Sequence, residues 1–123
     1  MKVVYASSKV ERQCEKKSAA RKLFGGDEIL ANALLARIQQ LKAAATLRDI
    51  ICTPALHFHA LHNKGKSKLE GYFAIDIKTR KDAWRLILQP LDEDQKPFVP
   101  CNIDEISGFV RVVRVEKVSK HYD

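Results

Sequence analysis

Apolar residues recur at two different intervals along this chain, and the change falls near Leu56. The opening "KVVY" (Lys2–Tyr5) is short, β-branched and aromatic, which predicts a strand. Ser8 with Glu11 three residues on predicts a capping box and a helix running to about Leu23. Its apolar stripe is thin: Val10, Cys14, Ala20 and Phe24. The remainder is largely Lys and Arg, so one edge covers a core and a basic face looks outward. Gly25 and Gly26 end it, because glycine adopts the left-handed cap conformation without a β-carbon clash. Asp27 is placed to cap a second helix, about Glu28–Ala45, where Leu30, Ala33, Leu34, Arg37, Ile38 and Leu41 recur at three- and four-residue steps. Two helices across so short a turn predict an αα-hairpin. Thr46 with Asp49 repeats the capping signal ahead of Pro54.

From Leu56 onward the period is two. "GYFAIDI" sets Phe73, Ile75 and Ile77 against Tyr72, Ala74 and Asp76. "WRLILQ" sets Trp84, Leu86 and Leu88 against Arg85 and Ile87, and "KTRKD" between the two predicts a polar hairpin loop. The valine-rich "FVRVVRVEKV" (109–118) predicts a last strand. The acidic, Pro-containing stretch 90–107 reads as a surface connection. Helices segregated from a run of strands predict one α+β domain over residues 1–123, a helical hairpin on a mostly antiparallel sheet of four or five strands.

Composition bounds the class of molecule. A chain of 123 residues is one domain's length, and 46% hydrophobic content fills a modest core. No apolar run approaches the ~18 residues of a membrane span. "MKVVYASSK" lacks the apolar region of a secretory leader, so none is expected. Cys14, Cys52 and Cys101 are odd in number and far apart, which points to free thiols in the cytoplasm. The net charge of +7 is concentrated in residues 1–26 and 56–81, whereas 82–108 is acidic. Two basic regions suggest a polyanion partner; a solvated basic surface is the plainer alternative.

Three of the four histidines, His57, His59 and His62, fall within six residues. Extended backbone would place His57 and His59 on one face and His62 on the other. A closed zinc site needs four ligands, and no acid lies within the cluster, so no metal is expected. Decoration of an edge strand is the plain reading. The chemical one is acid–base work on a phosphodiester, since imidazole exchanges protons near neutral pH. Metal-free RNA cleavage needs a base for the 2′-hydroxyl, an acid for the departing 5′-oxygen and cations for the phosphate. His59 and His121 are the proton carriers on offer, with Tyr72 and Tyr122 as acids or orienters and Arg85 with Lys68 as cations. Arg85 has two plainer roles: a place on a solvent-facing strand, or a pairing with Asp76 across the hairpin.

A helical pair, a short "H-x-L" strand, "GYFAIDI", "WRLIL" and a valine-rich strand ending in His and Tyr follow in that order. This order resembles the HigB/RelE-type toxins of type II bacterial toxin–antitoxin pairs, over about residues 28–123. The resemblance implies a small microbial-RNase-like fold and a cofactor-free, ribosome-dependent mRNA endoribonuclease that leaves a 2′,3′-cyclic phosphate. His59 in "FHAL" would match the family histidine, and Arg85 in "WRLI" the arginine that contacts the scissile phosphate. His121 and Tyr122 would correspond to the family's "DYH" ending. Lys64, Lys66, Lys68, Tyr72 and Arg80 would hold RNA beside them. The implied partners are the ribosome, mRNA and a cognate antitoxin, commonly a helix-turn-helix DNA-binding protein. Three features depart from the pattern: the ending "KHYD" swaps His and Tyr, "NKGKSKLEG" is longer and more basic than the usual turn, and the acidic stretch 90–107 is longer. A register aligned on "VRVVRVE" instead places Lys117–Ser119 at the terminal positions. The alternatives within the same fold are a ParE-like toxin directed at gyrase and a non-catalytic antitoxin-binding member.

Overall fold

Strand β1 (Lys2–Tyr5) leads into helix α1 (Ser8–Glu15) in the computed structural model, which describes residues 1–63, 65 and 68–120. The cap lies one residue earlier than expected: Ser7 is extended, and its hydroxyl accepts from the Val10 N–H at 3.2 Å. The single basic helix expected to Leu23 is two helices. Lys16 takes extended angles (φ −120, ψ 121) and separates α1 from α2 (Lys17–Leu23). The reason is phase. A helix burying Val10 and Cys14 would next turn Lys17, Ser18 and Arg21 inward. The break resets the phase so that Ala20 and Phe24 are buried instead.

Asp27 caps α3 (Glu28–Ala43) by accepting from the Leu30 N–H at 3.1 Å. That helix buries Leu30, Ala31, Leu34, Ile38 and Leu41 and ends two residues before Ala45. The N-terminal ammonium donates to the Lys42 carbonyl at 2.8 Å and to that of Ala44, fastening β1 to the end of α3. The Thr46–Asp49 capping box is present and opens α4 (Leu47–Ile51). None of the helices among the described residues is long and apolar enough to cross a membrane.

The other strands are β2 (His59–Ala60), β3 (Phe73–Asp76), β4 (Trp84–Leu91) and β5 (Val112–Lys120). They form one five-stranded sheet in the order β1-β5-β4-β3-β2. β1 runs parallel to β5, and the remaining neighbours are antiparallel. The architecture is α+β, N-terminal helices packed on a mixed, mostly antiparallel sheet.

The two faces of the sheet differ in what they meet. Ile75, Ile77, Leu86, Leu88, Val113 and Val115 join the helical side chains in the main core. Strand alternation then directs Ala74, Asp76, Arg85 and Ile87 to the opposite face. There Ala74 and Ile87 form a smaller cluster with Leu61, flanked by Leu69 and Tyr72. An irregularity between Ile87 and Leu88 lets Leu88 oppose Val115 while Ile87 opposes Lys117 and Arg85 opposes Ser119. The acidic stretch is loop only in part. Pro90 and Leu91 are buried in β4, and Ile103–Ile106 is a helical turn, α5, that buries Ile106. Leu91 and Ile106 are drawn inward, Val99 is 91% exposed, and Glu93, Asp94, Asp104 and Glu105 stay exposed.

Candidate active site

A 3-10 turn over Pro54–Leu56 leads into the histidines and ends at His57, whose φ is +51. That left-handed conformation costs a residue with a β-carbon roughly 1–2 kcal/mol, so surrounding contacts must hold it. Leu56 is anchored in the core. The His57 N–H donates to the Pro54 carbonyl at 3.0 Å. Its ring Nδ1 lies 3.4 Å from Asp76 Oδ1, and its own carbonyl is 2.8 Å from His59 Nδ1. Phe58, between the histidines, stacks on Phe73 at 4.9 Å and packs against the main core. His57 and His59 are left together beside Asp76, their rings stacked at 4.5 Å. The sequence expectation of a shared face for these two holds, although the backbone reaches it through a turn rather than an extended run. His62 is exposed.

The bond at His59 fixes its tautomer. A carbonyl only accepts, so His59 Nδ1 must carry the proton and donate it to the His57 carbonyl. In the neutral ring Nε2 is then the bare nitrogen. That atom is buried and has no hydrogen-bond partner. An unpaired buried acceptor costs about 1–3 kcal/mol, and such a group is a place where a ligand hydroxyl could be received.

Asp76 and Arg85 stand directly opposite one another across the β3–β4 pair, 1% and 7% exposed. Arg85 Nε is 3.2 Å from Asp76 Oδ1. Its NH1 donates to the Asp82 carbonyl and, at 2.9 Å, to that of Trp84, and NH2 donates to the Arg80 carbonyl at 2.9 Å. The guanidinium therefore grips the hairpin loop between β3 and β4. A bidentate phosphate clamp needs parallel N–H groups that face outward; this fork is turned into the loop. The plain pairing with Asp76 is present, and it is buried rather than solvent-facing. Asp76 Oδ2, on the other side of the carboxylate, is buried and unpartnered.

The remaining sequence candidates fall into three groups. Tyr72 is half-buried and packs against the Leu61–Ala74–Ile87 cluster, on the same face as His59, which pairs with Ala74. Lys68 is exposed, and so is Arg80, whose carbonyl is held by Arg85. Lys64, Lys66, His121 and Tyr122 lie outside the described residues. The last described residues of β5, Ser119 and Lys120, stand opposite Arg85 and Trp84. Sequence reasoning gave His57 no chemical task and Asp76 none beyond its pairing with Arg85. The available signal was "HFH", two imidazoles flanking one core aromatic, facing the lone carboxylate of an apolar strand. Among the described residues no three His, Cys, Asp or Glu side chains are grouped as metal ligands would be. Neither a family model, nor a curated protein, nor a solved structure matches the chain.

Proposed function

We propose that this chain is a metal-independent, ribosome-dependent mRNA endoribonuclease, the toxin of a type II toxin–antitoxin pair. The observation that carries this reading is the bare, buried Nε2 of His59, its Nδ1 bonded to the His57 carbonyl, on the sheet face opposite the helical core. In the reaction the RNA 2′-oxygen attacks the adjacent phosphorus and its proton passes to His59 Nε2. The bond from phosphorus to the 5′-oxygen breaks, that oxygen takes a proton from an acid, and a 2′,3′-cyclic phosphate remains. The sequence offers His121 and Tyr122 as the acid. Arg85 contributes by fixing Asp76 and the hairpin loop, while Lys64, Lys66, Lys68, Tyr72 and Arg80 hold the RNA. Positioning of mRNA by the ribosome supplies an orientation contribution of several kcal/mol, about 7–11 in the best-oriented reactions. A helix-turn-helix antitoxin is the expected neutralising partner.

The test is induction in cells of the wild type against His59→Asn. Asparagine keeps an N–H where Nδ1 stood but has no counterpart of Nε2. Wild-type induction should arrest growth with mapped cuts in mRNA, and the variant should grow normally while accumulating as a folded protein. Equal arrest by both would remove His59 from the mechanism. A second reading, a non-cleaving antitoxin-binding member of the same fold, is favoured by the turn of the Arg85 fork into its own hairpin. It expects antitoxin binding and intact mRNA from both proteins.

A further inference from the structure

We infer that His57 is the proton donor that works opposite His59, an inference that rests on the nuclease reading above. Both rings use Nδ1 for structure: His57 toward Asp76 Oδ1 at 3.4 Å, His59 toward the His57 carbonyl at 2.8 Å. Both therefore keep Nε2 for exchange with a substrate, from rings stacked at 4.5 Å. Their second partners differ, and the difference separates their roles. His59 is held by a carbonyl, which keeps a proton on Nδ1 and makes Nε2 the bare nitrogen of the neutral ring, suited to accept. His57 faces a carboxylate whose Oδ2 has no partner and which is 1% exposed. That carboxylate orients the His57 ring through Nδ1, so Nε2 is the nitrogen left to hand over a proton. Arg85 Nε shares the same oxygen and keeps the carboxylate in place.

The proton count closes. His57 begins with both nitrogens protonated and His59 with Nδ1 alone. As the 2′-oxygen joins phosphorus, His59 Nε2 gains its proton. As the bond to the 5′-oxygen breaks, that oxygen takes the proton from His57 Nε2. His59 ends as the cation and His57 as the neutral ring, and exchange with water resets both. The positive φ of His57 supports such a task, since a strained backbone at a non-glycine residue persists where neighbouring contacts enforce it.

A leaving-group substitution tests this. An mRNA is prepared with sulfur in place of the bridging 5′-oxygen at the mapped cut, because a thiolate departs without needing a proton. His57→Asn keeps an N–H toward Asp76 and tolerates the left-handed backbone. On programmed ribosomes it should cut the ordinary linkage about 100-fold or more below wild type, and the sulfur linkage at close to the wild-type rate. His59→Asn should fail on both. His121→Ala should show no rescue by sulfur. His57→Gln repeats the measurement if the asparagine variant folds poorly. Equal loss on both linkages, no loss at all, or rescue of His121→Ala instead would overturn the role of His57 alone. Failure of the wild type to cut either RNA would overturn the nuclease reading, and this inference with it.

Discussion

Replacing Asp76 by Asn would leave a guanidinium that is 7% exposed without its counter-charge. Removing one partner of such a buried pair costs about 3–5 kcal/mol, so urea denaturation of Asp76→Asn should show a loss of that order. Arg85→Ala should lose a similar amount, since the backbone carbonyls of Arg80, Asp82 and Trp84 also lose their donor. A midpoint within experimental error of wild type for either variant would contradict the account of the pair. Loss of the proposed activity in Arg85→Ala would consequently report a damaged hairpin, whereas His59→Asn isolates one nitrogen. The Asp76–Arg85 pairing was legible in the sequence, because two alternating strands joined by a short loop oppose residues at mirrored positions. The task proposed for His57 was not. It depends on a left-handed residue after a proline turn, and no pattern of polar and apolar positions encodes that conformation at a histidine.

Between elements, the tie that joins β1, α1 and α3 is polar. The Tyr5 hydroxyl donates to Glu15, and Lys42 Nζ reaches the same carboxylate at 2.9 Å. Burial is the largest influence on Glu15 and raises its pKa, but hydrogen bonds from Lys42 and Tyr5 with the Lys42 charge outweigh it and hold the carboxyl below the usual range. A depressed folded-state pKa gives stability that is present above the unfolded value, roughly 4.3, and is lost as pH falls through the folded one. Tyr5 is raised by burial and by Glu15, and Cys14 is pushed up to about 12, chiefly by burial. Those contributions are present at neutral pH and fade as pH rises above the unfolded values, roughly 8.5 for cysteine and 10 for tyrosine. Thermal melts of wild type should therefore fall at both extremes. Tyr5→Phe should flatten the alkaline side, and an unchanged alkaline slope would refute its share. At the α2–α3 turn, Gly26 has φ +93 with open space around it. Gly26→Ala should cost about 1–2 kcal/mol from backbone conformation alone, read as a lower melting temperature. The caps at Asp27 and Thr46 were legible because their spacing is local. The break at Lys16 was not, because it arises from which side chains the sheet leaves room for.

Charge divides the whole molecule. Residues 92–105 hold five acids and one lysine, while the rest carries twenty-one Lys/Arg against ten acids. Lys9, Lys16 and Lys22 are exposed on the α1–α2 segment. If that surface meets RNA, replacing all three by Gln should flatten the dependence of log affinity on log salt by about 2 for single-stranded RNA. An unchanged slope would place the RNA elsewhere. The fold class was legible from the switch of period near Leu56 and the helix–strand segregation. The parallel pairing of β1 with β5 was not, since a pairing across the length of the chain leaves no mark on local spacing. The measurement that bears most directly on the central claim is the chemistry of RNA ends made by purified protein on programmed ribosomes. A 2′,3′-cyclic phosphate facing a 5′-hydroxyl, produced by wild type and absent with His59→Asn, is the expected result. Intact mRNA, or ends bearing a 5′-phosphate and a 3′-hydroxyl, would contradict it.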